Sequence, residues 1–272
     1  MPLRLAGHLG VRAPDQPLFA KSAAAIDPLT QIAAMAEYGL AGVFDNFLTL
    51  RPPEVQSAMG EGLSARGMAM GSFVHDPLRW DQPCWSSGEA LHALPASLEA
   101  ARRSGSRTIN CVTGLDRGRG RPEQLRAMAE NLARAADRAA PSDIMLCVET
   151  THAAYAPGAL IDSIADAKGV VSAAAHPGVR LNVDVAHLAM HGIDPAGAIL
   201  ENPSVLGMVQ IADLPGRVEP GAGSASLDWA AIIAALGEAE YSGLVELELE
   251  PAEPGAAGER AMLSRLTRLG LL

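Results

Sequence analysis

The feature that most constrains this chain is an alternation: short apolar runs recur eight times, and Ala- and Leu-rich amphipathic stretches separate them. The strand-like runs fall at 3–10, 42–47, 68–75, 108–113, 144–149, 179–185, 206–212 and 244–249, and the helical patterns at 29–38, 53–66, 89–104, 122–139, 159–168, 195–200, 227–239 and 258–269. Strand followed by helix, repeated, demands right-handed crossovers and a parallel sheet. Eight such units within 272 residues predict one α/β domain over 1–272, a closed (β/α)8 TIM barrel, which takes about 250 residues. A doubly wound dinucleotide-binding sheet would want a Gly-rich turn after its first strand, and Gly10-Val11-Arg12-Ala13-Pro14 is not one.

Charge narrows the partners. The formal net charge is -10, from 31 acidic and 21 basic residues, so the long-range field repels a phosphate backbone and no nucleic acid is expected. Arg117, Arg119, Arg121 and Arg126 form the one basic cluster, beside Gly118, Gly120 and Pro122, and read as a solvated loop. No apolar run approaches the ~18 residues of a membrane span, so the expectation is a soluble, cytoplasmic protein. Cys84, Cys111 and Cys147 are odd in number and unpaired in spacing, which predicts reduced thiols rather than a disulfide framework or a Cys metal site.

The chemistry lies where apolar strands end in polar residues. Glu149 closes 144–149, Asp184 closes 179–184, Gln210 interrupts 206–212, and Glu246, Glu248 and Glu250 alternate with aliphatics in the last run. Period-2 alternation puts those three glutamates on the barrel's inner face. Glu246, the deepest, is expected to pair with an arginine or a water. A buried lone carboxylate costs several kcal/mol or takes up a proton, so converging acids need a cation. Glu149, Asp184, Gln210 and Glu248 supply oxygen ligands with a formal charge of -3, suited to a hard divalent ion, Mn2+ or Mg2+, with Co2+ or Zn2+ as alternatives. His187, three residues beyond Asp184 in the expected loop, is a substrate-site candidate. The two long connections, 76–88 and 214–226, are expected to hold substrate contacts and lids; His75 and Trp80 are candidates to touch substrate at the mouth, against a hydrogen-bonded structural histidine for His75 and a loop anchor on the barrel rim for Trp80 and Trp85 alike.

These residues carry a resemblance. The chain resembles the sugar isomerase/epimerase barrels related to xylose isomerase, and within them the hydroxypyruvate isomerases. The segment from Val209 to Gly223, which reads VQIADLPGRVEPGAG, is the most similar, with Gln210 where most relatives place a metal-binding His. Val148-Glu149, the Asp184 to His187 spacing and the segment from Tyr241 to Pro251 agree too. The resemblance implies that Glu149, Asp184, Gln210 and Glu248 ligate the metal, that Glu149 and Glu248 exchange substrate protons, and that His187 and Arg217 touch substrate oxygens. Arg217 is therefore expected to orient substrate rather than stabilise the fold. Phe44, Val218 and Ser224 depart from the residues usual there, Glu, His and Glu respectively, and bear on substrate choice.

Shifting a hydrogen between neighbouring carbons of a hydroxy-ketone requires proton removal beside a carbonyl and stabilisation of a cis-enediolate, which a divalent ion supplies. Two flanking carboxylates then act as base and acid, for isomerisation or epimerisation. The partners implied are a small hydroxy-ketone, keto-acid or sugar, and association into a homo-oligomer is left open. Three rivals remain: a metal-dependent dehydratase or decarboxylase on the same barrel, a non-catalytic sugar-binding barrel, and an apurinic endonuclease, whose histidine-rich zinc cluster and basic DNA face this sequence lacks.

Overall fold

The computed structural model describes residues 3–225 and 227–272; Met1, Pro2 and Ser226, the last residue of the expected 214–226 connection, lie outside the described residues. Its strands are β1 (Arg4–His8), β2 (Gly42–Phe44), β3 (Ala69–Met70), β4 (Phe73–Val74), β5 (Thr108–Cys111), β6 (Met145–Glu149), β7 (Val179–Asp184), β8 (Leu206–Ile211) and β9 (Leu244–Leu247). All ladders are parallel, in the order β3-β2-β1-β9-β8-β7-β6-β5-β4. β3 and β4 are two halves of the run expected at 68–75: the first pairs with β2 and the second with β5. The described segments therefore fill eight barrel positions and close a (β/α)8 barrel.

The break at Gly71-Ser72 has a physical cause inside the barrel. A Cβ on Gly71 would sit 2.5 Å from Oε1 of Glu246 and 3.1 Å from Cβ of Phe44, so a side chain there would displace the Glu246 carboxylate. Ser72 donates its N–H and its hydroxyl to the Glu246 carboxylate at 2.6 and 2.7 Å. Glu246 thus spans the interior from the last strand to the third, and its partner is a serine rather than the arginine or water expected.

The helices are α1 (Pro28–Glu37), α2 (Pro53–Ser64), α3 (Cys84–Ser87), α4 (Ala90–Ser104), α5 (Arg121–Ala139), α6 (Ile164–Ala174), α7 (Val185–Met190), α8 (Pro195–Glu201), α9 (Trp229–Glu238) and α10 (Gly255–Arg268). Short acceptor side chains start many of them: Asp27, Ser163, Asp194 and Asp228 each accept backbone N–H groups of the first turn. The helix expected at 159–168 is displaced to α6, because Leu160 donates to the Thr113 carbonyl and Ala159 bridges Gly114, which holds that stretch extended until Ser163 can cap. Apolar faces such as Ile32 and Met35 of α1, Leu132 of α5 and Leu236 of α9 bury against the outward-pointing Val43, Val148, Val245 and Leu247. Cys84, Cys111 and Cys147 are free and buried. No helix among the described residues is long and apolar enough to cross a membrane.

Candidate functional site

A cavity of about 530 Å3 opens at the C-terminal ends of the strands, and residues following every barrel position except the third's first half reach it. That is the end of a (β/α)8 barrel where loops assemble chemistry. Glu149, His187, Arg217, Glu248 and Trp80 line it. His75 does not: its ring lies 4.9 Å from that of Trp85 and its Nδ1 bonds the Ser97 hydroxyl at 2.9 Å. Both belong to the helix layer, so the two tryptophans divide the roles considered for them, with Trp85 an interior anchor and Trp80 at the cavity.

Glu149 ends β6. Asn110 Nδ2 donates to its Oε2 at 2.6 Å. Burial pushes its pKa up to about 7, with the neighbouring Asp184 charge adding to the effect. Asp184 ends β7 and also caps α7, a helix absent from the sequence expectation, by accepting the His187 N–H at 2.9 Å. Its Oδ2 takes a 2.6 Å bond from Arg217 Nη2. Burial alone would raise the Asp184 carboxyl, but the guanidinium and the α7 amide hold it below the ordinary value. Glu248 lies one residue past β9, where the strand has already ended. It accepts from Arg217 Nη2 at 2.9 Å and from Asn46 Nδ2 at 3.4 Å, yet burial pushes its carboxyl well above the usual range. The period-2 face expected through Glu250 therefore stops at Glu246, and the Glu250 amide instead bonds the Arg217 carbonyl.

Arg217 holds this cluster together. Nη2 bridges Asp184 and Glu248, Nε donates to the Glu248 carbonyl at 3.1 Å, and the guanidinium lies 5.5 Å from the Tyr155 ring centroid. Its φ is +55°, a left-handed value that costs a non-glycine residue about 1–3 kcal/mol. The surrounding loop fixes that conformation: Asp213 and Val218 exchange backbone bonds at 2.7 and 3.0 Å, and the Asp213 carboxylate accepts from Gly221 and from the Trp229 indole. Glu219 ties the same loop to Arg265 and to the Ala252 amide. The described part of this connection is thus braced to the barrel rather than built as a loose lid. Arg217 also touches the buried Asp184 and the partly buried Glu248, so it has a structural role beyond the substrate contact expected of it.

Donor atoms of Glu149, Asp184 and His187 all lie within 4.8 Å of one another, close enough to hold a metal ion. The hydrogen bonding argues against His187 as a ligand. Its Nδ1 accepts the His152 N–H at 2.9 Å, and burial lowers its pKa to about 4. A neutral ring whose Nδ1 accepts must carry its proton on Nε2. That N–H, 3.5 Å from Glu149 Oε1, is a donor facing the acids. Gln210 stands in register with Asp184. Its Oε1 accepts from Asn182 at 2.7 Å, leaving the second lone pair of the amide oxygen, while Nε2 approaches Glu246 at 3.5 Å. The structure therefore brings Glu149, Asp184 and Glu248 together around Arg217 and sets Gln210 beside and below them. Three carboxylates against one guanidinium and a neutral histidine leave two negative charges, and this oxygen donor set fits a divalent cation.

Sequence reasoning missed Asn46, Asn110, Arg12 and Tyr155. Asn110 gave the same signal as the acids, a polar residue interrupting Ile109-Asn110-Cys111-Val112 near a strand end. Arg12 and Tyr155 lie in loops with no periodicity to mark them.

Residues 32–266 match a family described as Xylose isomerase-like TIM barrel. Over 175 residues the chain is 27% identical to hydroxypyruvate isomerase of Escherichia coli strain K12, covering 64% of this chain and 67% of that protein. Over 179 residues it is 28% identical to 2-oxo-tetronate isomerase of Pectobacterium atrosepticum, covering 61% and 68%. Among solved structures, the AP endonuclease, family 2 from Brucella melitensis superposes with a TM-score of 0.82 at 24% identity, over 98% of this chain and 99% of that one, a likeness of fold.

Proposed function

Since the chain belongs to the xylose isomerase-like TIM barrel family, we propose that it is a divalent-metal-dependent isomerase or epimerase of a small hydroxy-ketone, keto-acid or sugar. The observation that carries this is the pairing of the buried Glu149 with the partly buried Glu248, two carboxylates whose proton affinity is raised, on one cavity with Arg217 and the His187 N–H. The isomerase names of the relatives support the same class.

Glu149, Asp184 and Glu248 hold the cation, and Gln210 offers its second lone pair. When bound, the ion supplies positive charge beside the substrate's carbonyl and hydroxyl oxygens. Glu149 or Glu248 removes the proton on the carbon next to the carbonyl, and the other returns one, to the neighbouring carbon for isomerisation or to the opposite face for epimerisation. A carboxyl whose pKa is pushed up to about 7 suits this work, because it exchanges a proton in either direction near neutral pH. Asn110 and Asn46 fix the two carboxylates, and the His187 Nε2–H and Arg217 steady negative charge developing on substrate oxygen.

The test is solvent-deuterium incorporation. Hydroxypyruvate and free ketoses incubated in D2O with Mn2+ or Mg2+ should acquire deuterium at the carbon beside the carbonyl, and a chelator should abolish it. Release of CO2 or water from the substrate would favour the lyase rival. Absence of exchange with every compound would sink the proposal.

A further inference from the structure

Among the described residues lining the cavity, two are cationic at neutral pH, and one of these is already committed. Arg217 gives its Nη2 to Asp184 and Glu248 and its Nε to the Glu248 carbonyl. His187 is neutral, since its Nδ1 accepts the His152 N–H and so carries no proton. The other cation is Arg12, carried by the connection after β1, exposed, and part of the cavity wall. No carboxylate among the described residues comes within 4.0 Å of its guanidinium. Burial raises the Glu250 carboxyl and the Arg12 charge opposes that rise, but the two side chains form no contact pair.

We infer that Arg12 receives a carboxylate of the substrate and so selects a hydroxy-keto acid over an uncharged ketose. This rests on the isomerase reading above and names the substrate feature that its site would recognise.

Charge balance makes the argument. Glu149, Asp184 and Glu248 contribute -3 to the floor; Arg217 and a divalent cation together contribute +3. The floor is then neutral and has no charge left for a substrate anion. The whole chain carries -10, which repels anions at a distance, so an acidic substrate needs a local cation to enter. Arg12 supplies it, and its planar fork matches a carboxylate with two parallel hydrogen bonds. β1 is flanked by β2 and β9. The carboxylate end of the substrate would therefore lie towards the β1 rim, leaving its keto and hydroxyl carbons over Glu149 and Glu248. A cavity of about 530 Å3 has room for a short chain extended that way.

The experiment compares hydroxypyruvate with dihydroxyacetone, which lacks the carboxylate, using the metal-loaded full chain and its Arg12→Ala, Arg12→Gln and Arg12→Lys variants. The wild type should favour the acid in kcat/KM. In Arg12→Ala and Arg12→Gln the ratio of acid to ketose should fall by about 10- to 100-fold, through KM rather than kcat, with Arg12→Lys recovering part of it. Unchanged thermal unfolding is expected, since Arg12 is exposed. A ratio unaltered by Arg12→Ala, or a wild type that prefers dihydroxyacetone, overturns the inference. Should neither compound react, titration calorimetry of glycerate against glycerol judges Arg12 independently of turnover. Equal glycerate affinity in wild type and Arg12→Ala would then refute it.

Discussion

The two halves of the barrel bring different chemistry to one cavity. From β6 to β9 the strand ends and the loops behind them supply Glu149, His187, Arg217 and Glu248, with Asp184 behind them bonded to Arg217; from β1 to β5 they supply Arg12, Asn46, Trp80 and Asn110, and no carboxylate among the described lining residues. Yet the halves are joined at the site. Asn110 holds Glu149 and Asn46 reaches Glu248, so each amide of the first half steadies one glutamate of the second. The difference teaches that a barrel can divide its labour: one half concentrates costly charge, and the other orients it with neutral donors that need no compensation of their own.

The largest effect should come from crossing that division. Glu248→Gln keeps the size of the side chain and removes its basicity, so solvent-deuterium exchange into substrate should fall by about 100-fold or more, within the range general-base catalysis contributes. Asn46→Ala, on the opposite half, removes only a 3.4 Å bond to the same carboxylate and should lose far less. Equal losses would mean that the two halves do not differ in kind.

A stability effect of a few kcal/mol is expected at Arg217. Removing one partner from a buried charge cluster costs about 3–5 kcal/mol, because the remaining charges stay unpaired, and Arg217 touches both Asp184 and Glu248. Arg217→Ala should therefore unfold at lower temperature in the presence of a chelator, and added Mn2+ should restore much of the difference. If chelated and metal-loaded variant melt alike, the acids and the cation are not sharing one site.

The smallest effect concerns Glu246, the acid that both halves share. Its pKa is pushed up to about 7 by burial, from an unfolded value of 4.5, so its stabilising contribution is fully present below pH 4.5 and is lost as pH rises through 7. Glu246→Gln removes that slope while keeping acceptor and donor for Ser72. Between pH 4.5 and 8 the wild type should lose on the order of 2–3 kcal/mol more than the variant. Matching urea midpoints for the two proteins across that range would contradict the shift. His8, whose pKa burial lowers to about 4, tilts stability the other way over pH 4–6.5 in both proteins, so only their difference is diagnostic.

Hydrophobic periodicity, a local signal written along the chain, made legible the barrel, its eight positions, the strand ends of Glu149 and Asp184 and the polar Gln210 near the end of its strand. The sequence also marked Glu248, through a resemblance and an alternation. Tertiary structure alone decided the rest. The third strand breaks at Gly71-Ser72 because a carboxylate from residue 246 arrives across the barrel, a contact between positions 174 apart in sequence. The β9 strand stops at Leu247, so Glu246 turns to Ser72 while Glu248 turns to Arg217. His187 became a donor because a backbone amide from another loop occupies its Nδ1. His75 turned away from the cavity because Trp85 and Ser97 offered it a place in the helix layer. Periodicity tells which side chains point inward; which partner each one meets depends on distances between strands that only the closed barrel sets.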